Sequence, residues 1–98
     1  MPQFAVEFHP VAADEAEAAE RWYRERNDTA AVRFRRELDR VVEFIAERPE
    51  AAPPYIRNTR RFLLRRFPFF VVYRVFNGHV QIVAVAHARR RPGYWVQR

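Results

Sequence analysis

The chain predicts a single small α+β domain in the order β-α-α-β-β-β: an N-terminal strand, an antiparallel helical hairpin, then a three-stranded antiparallel meander. Three observations carry this reading. The first half repeats apolar residues at helical spacing, the second half is built of strand-like apolar runs, and Asn77-Gly78 joins two of those runs. Ninety-eight residues leave room for one core, so residues 1–98 form one domain.

"FAVEFH", Phe4 to His9, is the first strand, closed by Pro10. Pro10 suits a first helical turn, and Asp14, Glu15 and Glu17 then favour the positive end of a helix over residues 10–26. Ala12, Ala16, Ala19 and Tyr23 make its apolar row, with Val11, Ala18 and Trp22 beside it. Asn27-Asp28 breaks this helix, and Asp28 is placed to cap the next. There Ala31, Phe34, Leu38, Val41 and Ile45 repeat at spacings of 3 and 4. The short link makes the two helices an antiparallel hairpin. Pro49, Pro53 and Pro54 end the second helix and open an extended loop.

Strands are expected over Arg60–Phe67, Phe69–Phe76 and His79–His87. Asn77-Gly78 fits a two-residue type I′ hairpin, which needs positive φ at both positions. Strict alternation puts Phe69, Val71, Tyr73 and Val75 on one face and Phe70, Val72, Arg74 and Phe76 on the other. In the last strand it puts Val80, Ile82, Ala84 and Ala86 together, opposite Val83 and Val85. Both faces are apolar, yet a helical hairpin covers one. The second face is covered by the C-terminal tail or left to a partner, since more than a few hundred Å² of exposed apolar surface is unusual in a monomer.

Composition narrows the function. There is no cysteine, serine or lysine, which excludes disulfides, thiolate chemistry and a serine nucleophile. No apolar run approaches the ~18 residues of a membrane span. "MPQFAVEFHP" has no basic, apolar leader pattern, so a cytoplasmic protein is expected. His9, His79 and His87 lack close ligand spacing, and no metal or other cofactor is expected. The formal net charge is +6, all of it from arginine, whose planar fork binds carboxylates and phosphates bidentately. All twelve acids lie in residues 1–59, whereas residues 60–98 hold nine arginines and no acid, so a polyanionic or acidic partner is expected.

The one catalytic constellation left is a metal-free ribonuclease, with His87 and Tyr94 as acid–base groups and the arginines 89–91 stabilising charge. Against it stand blander readings: a structural histidine at a strand end, a solvated arginine run and core-capping aromatics.

The order β-α-α-β-β-β, "FPFFVVYRV" (Phe67 to Val75) and "AHARRRPGYW" (Ala86 to Trp95) resemble the RelE/ParE superfamily of toxins from bacterial type II toxin–antitoxin modules, most closely its ParE branch. The resemblance implies a toxin neutralised by an acidic ParD-like antitoxin in a hetero-oligomer. Operator DNA would be bound only through the antitoxin, and DNA gyrase is the implied target. Target contacts fall on His87, Arg89, Arg90, Arg91, Tyr94 and Trp95; antitoxin contacts fall on Trp22, Arg60, Arg65, Phe70, Val72 and Arg74. The alternative is a RelE-like ribosome-dependent mRNA endoribonuclease using Arg61, His87, Arg89 and Tyr94. Matching "VVYRV" to such ribonucleases puts Phe70 where they carry an arginine, and Arg61 and Leu63 near their lysines. Loss of one positioned charge-stabilising donor costs ~10²–10³ in rate, which favours a non-enzymatic toxin.

Overall fold

A computed structural model describes residues 4–98; Met1 to Gln3, part of the segment read above as leaderless, lie outside the described residues. The elements are β1 (Ala5–Phe8), α1 (Pro10–Arg24), α2 (Asp28–Glu47), β2 (Pro54–Tyr55), β3 (Thr59–Leu63), β4 (Phe69–Phe76) and β5 (His79–His87), with a short 3₁₀ turn at Ile56–Asn58. They form one mixed five-stranded sheet in the order β1-β5-β4-β3-β2. β1 runs parallel to β5, and the other pairs are antiparallel. The expected meander is therefore its centre, extended on one side by β1 and on the other by a strand of two residues. That extra strand falls in the expected loop, where Pro54 sits in the outermost strand and its missing N–H costs no central ladder bond.

The helices form as their spacing predicts, with local differences. His9 caps α1, its Nδ1 accepting from the Val11 N–H at 3.1 Å, and Pro10 opens the helix. No acid lies in the first turn of α1, so Asp14, Glu15 and Glu17 do not act at its positive end, and Glu15 has another task. The cap of α2 is Asn27, not Asp28: its Oδ1 accepts from the N–H groups of Thr29 (2.9 Å) and Ala30 (3.2 Å). Ala12, Ala16 and Ala19 are buried, and their small side chains let α1 lie close over β5. Val11 and Trp22 are exposed. Tyr23 stacks on Phe34 at 5.4 Å, and Phe67 and Phe69 pack edge-on against both rings.

Two cores lie on the two sides of the sheet. Beneath the helices are Phe34, Leu38, Val41, Ile45, Val71, Tyr73, Val80, Ile82 and Val85, with the Tyr73 hydroxyl donating to the Pro49 carbonyl at 2.7 Å. On the other side Phe70, Val72, Val83, Ala84 and Ala86 pack under Trp95. Strict alternation fails in β5. Val72 pairs with Ala84 and Tyr73 with Ile82, so Val83 is an extra residue that shifts the register. This bulge moves Ala84 and Ala86 to the face of Phe70 and Val72, and brings Val85 to the helical side. Asn77 (φ 49°) and Gly78 (φ 74°) make the expected hairpin. β3 ends at Leu63 rather than Phe67, because Arg66 takes a left-handed conformation (φ 66°) in the turn to β4.

Candidate functional site

The site begins where β5 ends. The His87 Nδ1 accepts from the Arg89 N–H at 3.0 Å, and the His87 carbonyl accepts from the Arg90 N–H at 3.0 Å, so the chain turns sharply. Gly93, at φ 80°, turns it again. Tyr94 then reaches α1, while Trp95 passes to the opposite face and packs against Tyr55 with ring centroids 6.0 Å apart. Trp95 is 2% exposed, and no described residue accepts from its Nε1.

What ties this tail down is Glu15. Its Oε2 accepts from the Tyr94 hydroxyl at 2.7 Å and from Arg98 Nη2 at 3.0 Å; its Oε1 accepts from Arg98 Nη1 at 2.8 Å and from the Val85 N–H at 3.0 Å. Arg98 also donates to the Val83 carbonyl at 3.2 Å. A bidentate arginine–carboxylate pair is the strong form of this contact, and here both side chains are only 15% exposed. Burial, then the hydrogen bond from its hydroxyl to Glu15, raises the Tyr94 pKa well above the usual phenol value. Burial works against the Arg98 charge, but Glu15 outweighs it and the guanidinium is held more firmly protonated.

Glu15 and Arg98 thus form a clasp on the tail, and between the tail and α1 lies a cleft of about 420 Å³. Its walls are apolar, from Ala18, Trp22, Tyr23 and Phe69, and its rim carries His87 and Arg90. The Arg90 guanidinium sits 3.8 Å from the centroid of the Tyr94 ring, and the His87 ring stands edge-on to Phe69 at 5.1 Å. Such a cleft suits an amphipathic segment that offers an apolar side chain inward and carboxylates at the rim.

The predicted residues divide among several surfaces. Trp22, His87, Arg90 and Tyr94 meet at the cleft, and Arg89 and Arg91 are exposed on the turn beside it. Phe70 and Val72 are buried beneath the tail, so the tail takes up the apolar face that was open to either occupant. Arg61 lies on that same far face, its guanidinium over the rings of Tyr55 (4.5 Å) and Phe70 (5.1 Å). Arg60 donates to the carbonyls of Glu50 and Ala52, Arg74 to Gln81 and the Arg98 carbonyl, and Arg65 sits in the turn before β4. Sequence reasoning missed Glu15 and Arg98 as a pair. They are 83 residues apart, and no local pattern links them. Among the described residues no group of three or more potential ligands could hold a metal, and no helix is long and apolar enough to cross a membrane.

Comparison with known proteins places this arrangement. Residues 6–92 match the family model of the ParE toxin of the type II toxin–antitoxin system parDE. The chain is 33% identical over 55 residues to Toxin ParE2 of Mycobacterium tuberculosis, in strains CDC 1551 and H37Rv alike, covering 56% of this chain and 52% of the relative. It thus spans about half the length of the curated relatives it matches. A solved structure described as the chromosomal ParDE system from P. aeruginosa shares the fold, with a TM-score of 0.76 at 18% identity over 87% of this chain and 96% of that one.

Proposed function

The chain belongs to the ParE toxin family of type II toxin–antitoxin systems, and on that footing we propose that it is a non-enzymatic toxin of DNA gyrase, held inactive by an acidic ParD-like antitoxin. One observation carries the choice against ribonuclease chemistry: Arg61 and His87 lie on opposite faces of the sheet. Arg61 pairs with Val72 and packs on Phe70, whereas His87 pairs with Phe69 and packs toward the helices. The Tyr94 hydroxyl is committed to Glu15, and its raised pKa makes it a poor proton carrier near neutrality. The four residues of a ribonuclease centre are thus not gathered around one phosphate.

The exposed run Arg89, Arg90 and Arg91, held by the His87 turn and the clasp, is the target-binding element. The antitoxin's amphipathic segment covers the cleft beside Trp22, its carboxylates meeting Arg90 and its apolar side chains the ring of Phe69. Charge complementarity there chiefly raises association rate and selectivity. Sequence-specific recognition of the operator comes only through the antitoxin in the complex, and the toxin works in the cytoplasm.

A supercoiling assay with purified gyrase tests the reading. The wild-type chain is expected to inhibit supercoiling, and the Arg89→Ala/Arg90→Ala/Arg91→Ala variant, with a native far-UV circular dichroism spectrum, is expected not to. Growth arrest in cells without any effect on gyrase, or with codon-specific mRNA cleavage, rules the proposal out.

A further inference from the structure

A second concavity, apart from the tail cleft, runs along the outer side of α2. Its volume is about 580 Å³, and it is lined by Arg33, Arg36 and Arg40 of α2 and by Arg65 and Arg66 of the turn between β3 and β4. Only one acid, Glu37, lies in it. Spacings of 3 and 4 put the three helical arginines along one side of α2, rising about 1.5 Å per residue. Glu37 fixes the arrangement from both sides. It takes two hydrogen bonds from Arg40, at 2.9 and 2.8 Å, and accepts the Arg65 N–H at 2.7 Å, so the turn is fastened to the helix. Arg66 stands in the left-handed region at φ 66°, a conformation that costs a non-glycine residue about 1 kcal/mol or more and survives where its surroundings impose it. Arg33, Arg36, Arg65 and Arg66 are exposed, and among the described residues only Arg40 of the five is in an ion pair.

We propose that this arginine cleft is a phosphodiester-binding site for duplex DNA. The tail cleft is walled by aromatic and aliphatic side chains, whereas here only Ala30 and Phe67 are apolar, both partly covered. An amphipathic peptide would find few apolar side chains here, and the four exposed arginines favour a polyanion. Single strands are gripped by exposed aromatic platforms, and the one aromatic lining this cleft, Phe67, is partly covered by Tyr23 and Phe34. Several forked cations around a concavity of this size fit the successive phosphates of one duplex backbone. The choice of DNA over duplex RNA rests on the gyrase reading above; the choice of a duplex backbone does not.

Fluorescence anisotropy with a labelled random-sequence DNA duplex, measured from 50 to 200 mM salt, tests the site without gyrase or antitoxin. The Arg33→Ala/Arg36→Ala/Arg66→Ala variant is expected to bind at least tenfold more weakly at 50 mM, with its log–log salt slope reduced by about 2 to 3. The Arg21→Ala/Arg24→Ala/Arg48→Ala variant loses the same charge elsewhere and is expected to change the slope by less than about 1. Circular dichroism confirms the fold of both. Equal losses in the two variants, or no binding by the wild type at 50 mM salt, overturn the proposal. Displacement of the DNA by polyglutamate at equal charge concentration would make the cleft a protein site, and preference for an RNA duplex of the same sequence would reject the DNA assignment. Gyrase inhibition is read separately, so either reading can fail alone.

Discussion

Replacing Glu15 by alanine removes the acceptor for four hydrogen bonds at once, from the Val85 N–H, the Tyr94 hydroxyl and both Arg98 Nη atoms. The Arg98 guanidinium, at 15% exposure, is left with the Val83 carbonyl as its described hydrogen-bond acceptor and the Tyr94 ring 5.1 Å away. Stranding one member of a fully buried pair costs ~3–5 kcal/mol, and the residual water access here lowers that to about 3 kcal/mol. In a domain of this size each kcal/mol shifts Tm by ~4–8 °C, so a fall of about 15 °C is expected. Glu15→Gln keeps an acceptor oxygen and loses the charge, and should cost about half as much. The clasp also holds the tail, so its loss should expose Trp95. In a Trp22→Phe background Trp95 is the sole tryptophan, and at 2% exposure it starts well shielded. Acrylamide quenching of its fluorescence should rise severalfold in the Glu15→Ala chain at temperatures where the far-UV circular dichroism is still native. A Tm within about 3 °C of wild type, or a destabilised chain whose Trp95 stays shielded, would refute the reasoning.

Two further predictions concern pH. Burial and Glu15 raise the Tyr94 pKa in the folded chain, so its contribution is fully present below about pH 10 and is lost as pH rises through the folded value. Tyr94→Phe should therefore flatten the alkaline limb of a Tm–pH curve. The Arg40 hydrogen bond lowers the Glu37 pKa, and this outweighs burial, so the Glu37 contribution is present above the ordinary glutamate value of 4.5 and fades as pH falls below it. Glu37→Gln should remove that acid-side loss and leave stability near pH 8 to 9 lower than wild type; an acid limb as steep as before would contradict this.

Much of the fold was legible because local chemistry and tertiary packing agree. Ala31, Phe34, Leu38, Val41 and Ile45 all point inward, and Asn77-Gly78 turns as its φ preferences demand. Where the reading failed, the deciding interaction was remote or chemically silent. The bulge at Val83 lies in a run of valines and alanines, with no glycine or polar residue to mark it. β2 exists because β3 offers it a partner, not because Pro54-Tyr55 favours a strand. The tail stretch reads as cationic and aromatic, but nothing local shows that the Tyr94 hydroxyl reaches α1 while Trp95 is buried beneath the sheet. Nor does the charge asymmetry of the sequence survive folding intact, since Glu15 from the acidic half is spent on Arg98 of the basic half.

β1 stops at Phe8, but β5 runs on to His87. Past Ile82 the sheet therefore has a bare edge, the usual template on which a foreign strand adds and chains associate edge to edge. The Val83 carbonyl and Val85 N–H are the groups such a strand would engage, and Arg98 and Glu15 already occupy them. Two side chains thus do the work of a missing strand. While the clasp is shut this stretch of edge is closed, and freeing the tail opens the Val83 carbonyl to a foreign strand while Glu15, on α1, keeps the Val85 N–H.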